Sequence, residues 1–322
     1  MSEPTADPRL RHFPVSFFAM VMGLTGLAIA WHKAQAAFAL PVDLATPILT
    51  LAGGLFCVLL GLYLTKLVRY RAAVLAELGH PVHINFFPTI SISLLLLAVG
   101  TLPYWPAGAG VLWVLGMSLH LLLTLYIMGV WIHHEHFEIH HINPAWFIPV
   151  VGNVLVPIAG VPLGFGEIPW FFFSIGILFW LILFTIIIYR MLFHHPLAER
   201  FMPTFFILIA PPAVGFLAYL QLAGGLDAFG RVLYYSGLFL TLLLATQIGR
   251  FLRISFYLSW WAYSFPLAAI AIATLTMYEQ TGLSAFAGLA WVLLTLATLV
   301  VVYLLARTAR AVAEHSICVP AH

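Results

Sequence analysis

The sequence predicts an all-α protein that crosses a lipid bilayer ten times. Three observations carry that prediction: a composition poor in charge, apolar runs of spanning length, and a lopsided placement of Lys and Arg. Of 322 residues, 63% are hydrophobic and only 7% are Asp, Glu, Lys or Arg, whereas a soluble domain carries about a quarter charged residues. So few charges cannot cover a water-facing globule of this size, and lipid must solvate most of the exterior. The net charge of +2 gives no pull towards nucleic acid. Two cysteines, Cys57 and Cys318, supply neither a disulfide framework nor a paired metal site.

A helix of roughly 20 apolar residues spans the hydrocarbon, and ten such runs are present. They are Phe13 to Trp31, Leu44 to Leu64, Ile84 to Leu102, Ala107 to Trp131, Ala145 to Gly164, Ile168 to Tyr189, Phe201 to Gln221, Val232 to Ile248, Ile254 to Tyr278 and Leu283 to Ala306. The first is about 19 residues long, beyond the roughly 7–15 of a signal-peptide core, and is therefore read as a span. The fifth is the weakest, because it holds Pro149, Pro157, Pro162, Gly152 and Asn153. The chain divides into a cytoplasmic segment 1–12, a transmembrane domain 13–307 and a cytoplasmic tail 308–322.

Cytoplasmic loops collect Lys and Arg. With the N-terminus inside, eleven of the 13 basic residues fall on that side, and only Lys33 and Arg231 lie outside. A missed or invented span would invert every later loop, so the charge map supports the count. Both termini are expected in the cytoplasm, in a multi-pass protein of the cell inner membrane.

Odd and even spans differ in texture. Pro14, Pro88, Pro149, Pro203 and Pro266 each follow a large apolar residue near the cytoplasmic start of an odd span, whereas the even spans are aliphatic and nearly free of proline. Proline removes a backbone donor and frees a carbonyl, which a membrane tolerates only where protein or water satisfies it. The odd helices should therefore face inward and the even ones lipid. Candidate pore-lining residues are Pro14, Ser16, Pro88, Ser91, Pro149, Asn153, Pro211, Pro212, Ser264 and Pro266. The plainer alternative is that proline and hydroxyl residues kink and glue packed helices.

None of the 24 charged side chains falls inside the spans as drawn, and only His120 could titrate there. Coupled pumps keep ionisable groups in the membrane despite the cost, so passive conduction fits better. Carbonyls freed by proline would favour cations. The residues therefore read as a neutral pore without a chosen ion sign.

Between the fourth and fifth spans lies HHEHFEIHH, with His133, His134, His136, His140 and His141. Its H-x-x-x-H-H spacing occurs in the histidine boxes of di-iron membrane oxidoreductases. The remaining histidines have the wrong spacing for a full set, so a polar connector or a regulatory lid over the inner mouth is the preferred reading. No nucleotide-binding loop, nucleophile elbow or zinc-protease motif is present. The protein is expected to need no cofactor or metal and not to be an enzyme.

Three stretches, HINPAWFIPVVGN (His141 to Asn153), LIAPPAVGFLAYL (Leu208 to Leu220) and WWAYSFPLAA (Trp260 to Ala269), together with the opening FPVSFFAMVMGLTGLAIAW, resemble the TehA and slow-anion-channel family. The resemblance implies five helical hairpins in quasi-fivefold arrangement around a central pore, in a homotrimer with one pore per subunit. It also implies a phenylalanine gate at Phe265, opposed by Ala19 on the first helix. The expected function is passive conduction of small inorganic anions such as chloride or nitrate. A carrier for C4-dicarboxylates, sulfite or tellurite-related species is the alternative within the same family.

Overall fold

The computed structural model describes residues 9–133 and 137–318, and every regular element among them is helical. Among the described residues nine helices are long and apolar enough to cross a membrane: α1 (Val15–Phe38), α2 (Ala45–Arg69), α4 (His83–Thr101), α5 (Pro106–His133), α7 (Glu167–Phe193), α8 (Glu199–Ala223), α9 (Ala228–Ala245), α10 (Leu258–Thr281) and α11 (Ser284–Ala313). Between α2 and α4 lies the short helix α3 (Arg71–Leu78). The expected fifth span is α6 (Pro144–Gly160), shorter than the rest and broken into alternating α and 3-10 turns. Its break has a local cause. Pro149 and Pro157 remove two amide donors, and tight 3-10 turns take up the remaining backbone groups.

Burial separates the helices into two classes. In their most apolar stretches α1, α4, α8 and α10 are 61 to 78% buried, whereas α2, α5, α7, α9 and α11 are 28 to 39% buried. The second class holds the exposed large side chains, such as Leu51, Leu122, Leu178, Phe239 and Leu299. In water such a surface would be untenable; against lipid it is the expected one. The α6 segment belongs with the buried class, since Phe147 to Pro157 is buried throughout.

Helix contacts follow this division. α1 touches α4, α4 touches α6, α6 touches α8, α8 touches α10, and α10 returns to α1. Each of these inner helices also packs against the outer helix that follows it in sequence, α10 on α11 for example. Close approach depends on small residues at particular points. A methyl group on Gly23 of α1 would stand 2.1 Å from Ser264 Oγ of α10, and one on Gly176 of α7 would stand 2.4 Å from Val154 of α6.

Charge is not wholly outside the helices. The helix α2 extends to Arg69, so Lys66 lies within it, and α11 extends to Ala313, past Arg307 and Arg310. Lys66 is buried with Glu77 of α3, its Nζ 2.7 Å from Glu77 Oε2 and 2.7 Å from the Phe13 carbonyl. The same carboxylate accepts the Val15 amide at 2.7 Å and the Tyr63 hydroxyl at 3.0 Å. A buried ion pair is tolerable only when its remaining hydrogen-bonding capacity is met, and here three further partners meet it. The cluster fastens the start of α1 to α2 and α3.

Candidate functional site

All five inner helices begin in the same way, with a 3-10 turn: Val15–Phe17, His83–Phe86, Pro144–Trp146, Glu199–Ile209 and Leu258–Tyr263. The outer helices have no such turn at their start. Proline near each start explains the difference, because the tighter turn closes 3-10 bonds onto carbonyls that an α-helical donor would otherwise take. Thus the Ile207 carbonyl accepts from the Ala210 amide, the Asn153 carbonyl from Val156 and the Ile84 carbonyl from Phe87. The cation-favouring carbonyls expected from Pro211, Pro157 and Pro88 are therefore occupied within their own helices.

The first turns of the five helices converge on a cavity of about 280 Å3. Its wall includes Pro14 and Ser16 of α1, Thr89 of α4, Phe147 of α6, Arg200 and Thr204 of α8, and Ser259 and Trp261 of α10. A second cavity of about 170 Å3 lies among later residues of the same helices, including Lys33 of α1, Ile158 of α6, Gln221 of α8 and Thr276 of α10. Phe265 borders both cavities, as do Leu155 and Val214. Its ring lies against α1 at Gly26, where a methyl group would stand 3.1 Å from Cδ2. Ala19 lines the larger cavity nearer the start of α1.

Of the residues expected to line a pore, Pro14, Ser16, Pro211 and Pro266 border the larger cavity. Pro88, Ser91, Pro149, Asn153, Pro212 and Ser264 lie outside both cavity walls and are buried between helices. Several have identifiable tasks there. Ser91 Oγ lies 2.9 Å from His120 Nδ1, the Pro149 carbonyl accepts from the Thr124 hydroxyl at 2.6 Å, and Asn153 Nδ2 donates to Val150 at 2.7 Å. The Ser91 and Pro149 contacts tie α4 and α6 to α5. His120 is a buried packing residue whose ring fills the space over Gly152.

Electrostatics gives the two cavities opposite backgrounds. Each helix carries about half a positive elementary charge at its N-terminus and the same negative charge at its C-terminus. Five N-termini surround the larger cavity, and the starts at His83, Glu199 and Leu258 have no side-chain cap. Arg200 adds a full charge to that wall, while Glu77, also in the wall, is paired with Lys66. The larger cavity is thus a positive environment built mainly from backbone, and sequence reading missed it because dipoles of aligned helices leave no mark on residue identity. The smaller cavity faces the negative halves of the same helices, with Lys33 in its wall.

The histidine-rich loop lies at the N-terminal end of the bundle. His134 and His136 fall outside the described residues, His133 ends α5 in an exposed position, and the His140 ring lies tilted against that of His141, with centroids 4.1 Å apart. His80 stacks on His83 at 4.0 Å, and His83 borders the larger cavity. Burial, then the nearby His141 and Arg200, hold the His80 imidazole below the usual histidine range. His80 is therefore predominantly neutral at neutral pH. Among the described residues no three His, Cys, Asp or Glu side chains are grouped to hold a metal ion.

The profile of a family described as voltage-dependent anion channel, SLAC1, matches residues 12–309. The chain belongs to this family. The SLAC1 match covers all ten apolar segments and agrees with the kinship read from the sequence. The S-type anion channel SLAH3 of Arabidopsis thaliana is 32% identical over 94% of this chain and 48% of its own length. SLAH2 of the same plant is 31% identical over 96% of this chain and 61% of its own length. The chain thus spans about half to three fifths of these plant relatives. The tellurite resistance protein TehA homolog of Haemophilus influenzae is 27% identical over 85% of each chain. The plant SLAC1-family relatives are named as anion channels rather than as enzymes, and the apolar helices of spanning length make this chain an integral membrane protein.

Proposed function

We propose that this chain conducts small inorganic monovalent anions, chloride or nitrate in kind, passively along the axis enclosed by its inner helices, and that Phe265 is the plug of that path. In this reading the helices form five hairpins in quasi-fivefold arrangement. The N-terminal face, with both termini, is cytoplasmic, and the protein sits in the inner membrane as a homotrimer with one path per subunit. The single observation that carries the proposal is the position of Phe265, whose ring borders a cavity on either side. The positive N-terminal ends around the larger cavity favour an anion there, and the mainly apolar wall holds it weakly enough to leave.

Selectivity in such a path follows the cost of removing water from the ion, so weakly hydrated anions pass more readily than sulfate or phosphate. Ala19 and Gly26 are the two small residues of α1 beside the plug, the first in the wall of the larger cavity and the second against the ring.

Planar-bilayer recordings of purified protein test this. Phe265→Ala is expected to raise the current at least tenfold over the parent chain, with a reversal potential that follows the chloride gradient. Unchanged current from a normally folded variant, or a reversal potential that follows potassium, contradicts the proposal.

A further inference from the structure

Lys33 sits on α1 about two turns beyond Gly26, the residue against the Phe265 ring, and faces the second cavity, the one surrounded by the later halves of the inner helices. Those later halves present the negative ends of five aligned dipoles. An anion entering from this side meets the opposite background from one entering through the larger cavity. Lys33 is the charged residue in the smaller cavity's wall, which otherwise offers only Gln221 and Thr276 as polar side chains. Its ammonium is paired with Glu279 near the end of α10, and both side chains are about one-third exposed, at 31% and 32%. Glu279 itself lies outside the cavity wall.

We propose that Lys33 is the anion-attracting group of the far entrance and that Glu279 sets its strength from behind. The inference rests on the anion-conduction reading above. The ammonium offsets the negative helix ends and presents a positive charge to the cavity. The carboxylate fixes the ammonium's position and tempers its field, so that an arriving anion is attracted without being trapped. The Gln221 amide is placed to solvate an anion that has shed part of its water, while the Thr276 hydroxyl donates to the Ile272 carbonyl of its own helix. The ligand class is a small monovalent anion, since one half-compensated cation cannot meet the charge of a divalent one.

The two partners of the pair must then act with opposite signs. Loss of Lys33 removes attraction, whereas loss of Glu279 leaves a stronger cation. A purely structural ion pair would give the same defect from either side. Charge effects also fade with salt, because the screening length falls from about 30 Å at 0.01 M to about 3 Å at 1 M.

The test uses the full chain carrying Phe265→Ala, in planar bilayers, with potassium chloride on the Lys33 side. At 0.01 M, Lys33→Gln is expected to lower chloride current entering from that side about fivefold, the scale of one close charge in water. Glu279→Gln is expected to raise it, Lys33→Arg to restore it, and all variants to converge at 1 M. Changes of the same sign from Lys33→Gln and Glu279→Gln, changes that persist at 1 M, or no change in either overturn the proposal while the conduction reading stands. Absence of anion-selective current in the Phe265→Ala parent removes that reading, and this inference with it.

Discussion

Lys66 and Glu77 show what a buried charge requires in this chain. The pair is enclosed at the start of α1, and the carboxylate also holds the Val15 amide and the Tyr63 hydroxyl. Removing one partner leaves the other charged and desolvated. Glu77→Ala is expected to destabilise the protein by about 3–5 kcal/mol, visible as a large fall in the thermal unfolding midpoint in detergent. Replacing both, Lys66→Met with Glu77→Leu, is expected to recover most of that loss. Little of this was legible in the sequence: Glu77 reads as one acidic residue on a short helix that also carries Arg71, and its partners become neighbours only when α3 folds back on α1 and α2. Phe265 was singled out by the YSFP stretch and its family likeness, and its ring borders both cavities. Its contact at Gly26 was not, because the pairing depends on how α1 crosses α10.

At the scale of elements, proline placement carried the reading furthest. The prolines near odd-span starts mark the five buried helices and the 3-10 turns that open them. The broken α6 was visible as a doubtful span for the reason that breaks it, its internal prolines. Pore-lining positions were read less well. Proline and hydroxyl residues mark a helix as buried without telling which of its faces looks to the cavity and which to a neighbouring helix, and Ser91 and Asn153 face His120 and Thr124 of α5 while Ser264 lies against Gly23 of α1. The outer helices provide the check. Leu299 lies midway along α11 and is 62% exposed, so Leu299→Arg places a charge in hydrocarbon at a cost of about 2.5–3.5 kcal/mol. Reduced membrane insertion in a translocation assay is expected, with unchanged insertion as the contrary result.

For the whole molecule, the arrangement matters more than any single side chain. Inner helices run in one direction between the two cavities, and this common direction gives the path a positive end and a negative end before any charged residue is counted. Apolar composition, span number and basic-residue bias disclosed the membrane architecture because they are sums over many residues. The field of parallel helices is also a sum, but over backbone dipoles, and composition does not register it. The SLAC1-family match, over residues 12–309, extends across this whole architecture.

The central claim is that the proline-bearing helices enclose a path interrupted at Phe265, and cysteine accessibility in planar bilayers tests it most directly. In a chain lacking Cys57 and Cys318, a single cysteine at Thr276 is challenged with an anionic thiosulfonate added only from the side of the larger cavity. The account predicts no modification while Phe265 is present, rapid modification once it is Ala, and none in either case for a cysteine at Leu299. Modification at Leu299, or protection at Thr276 after the ring is removed, would contradict it.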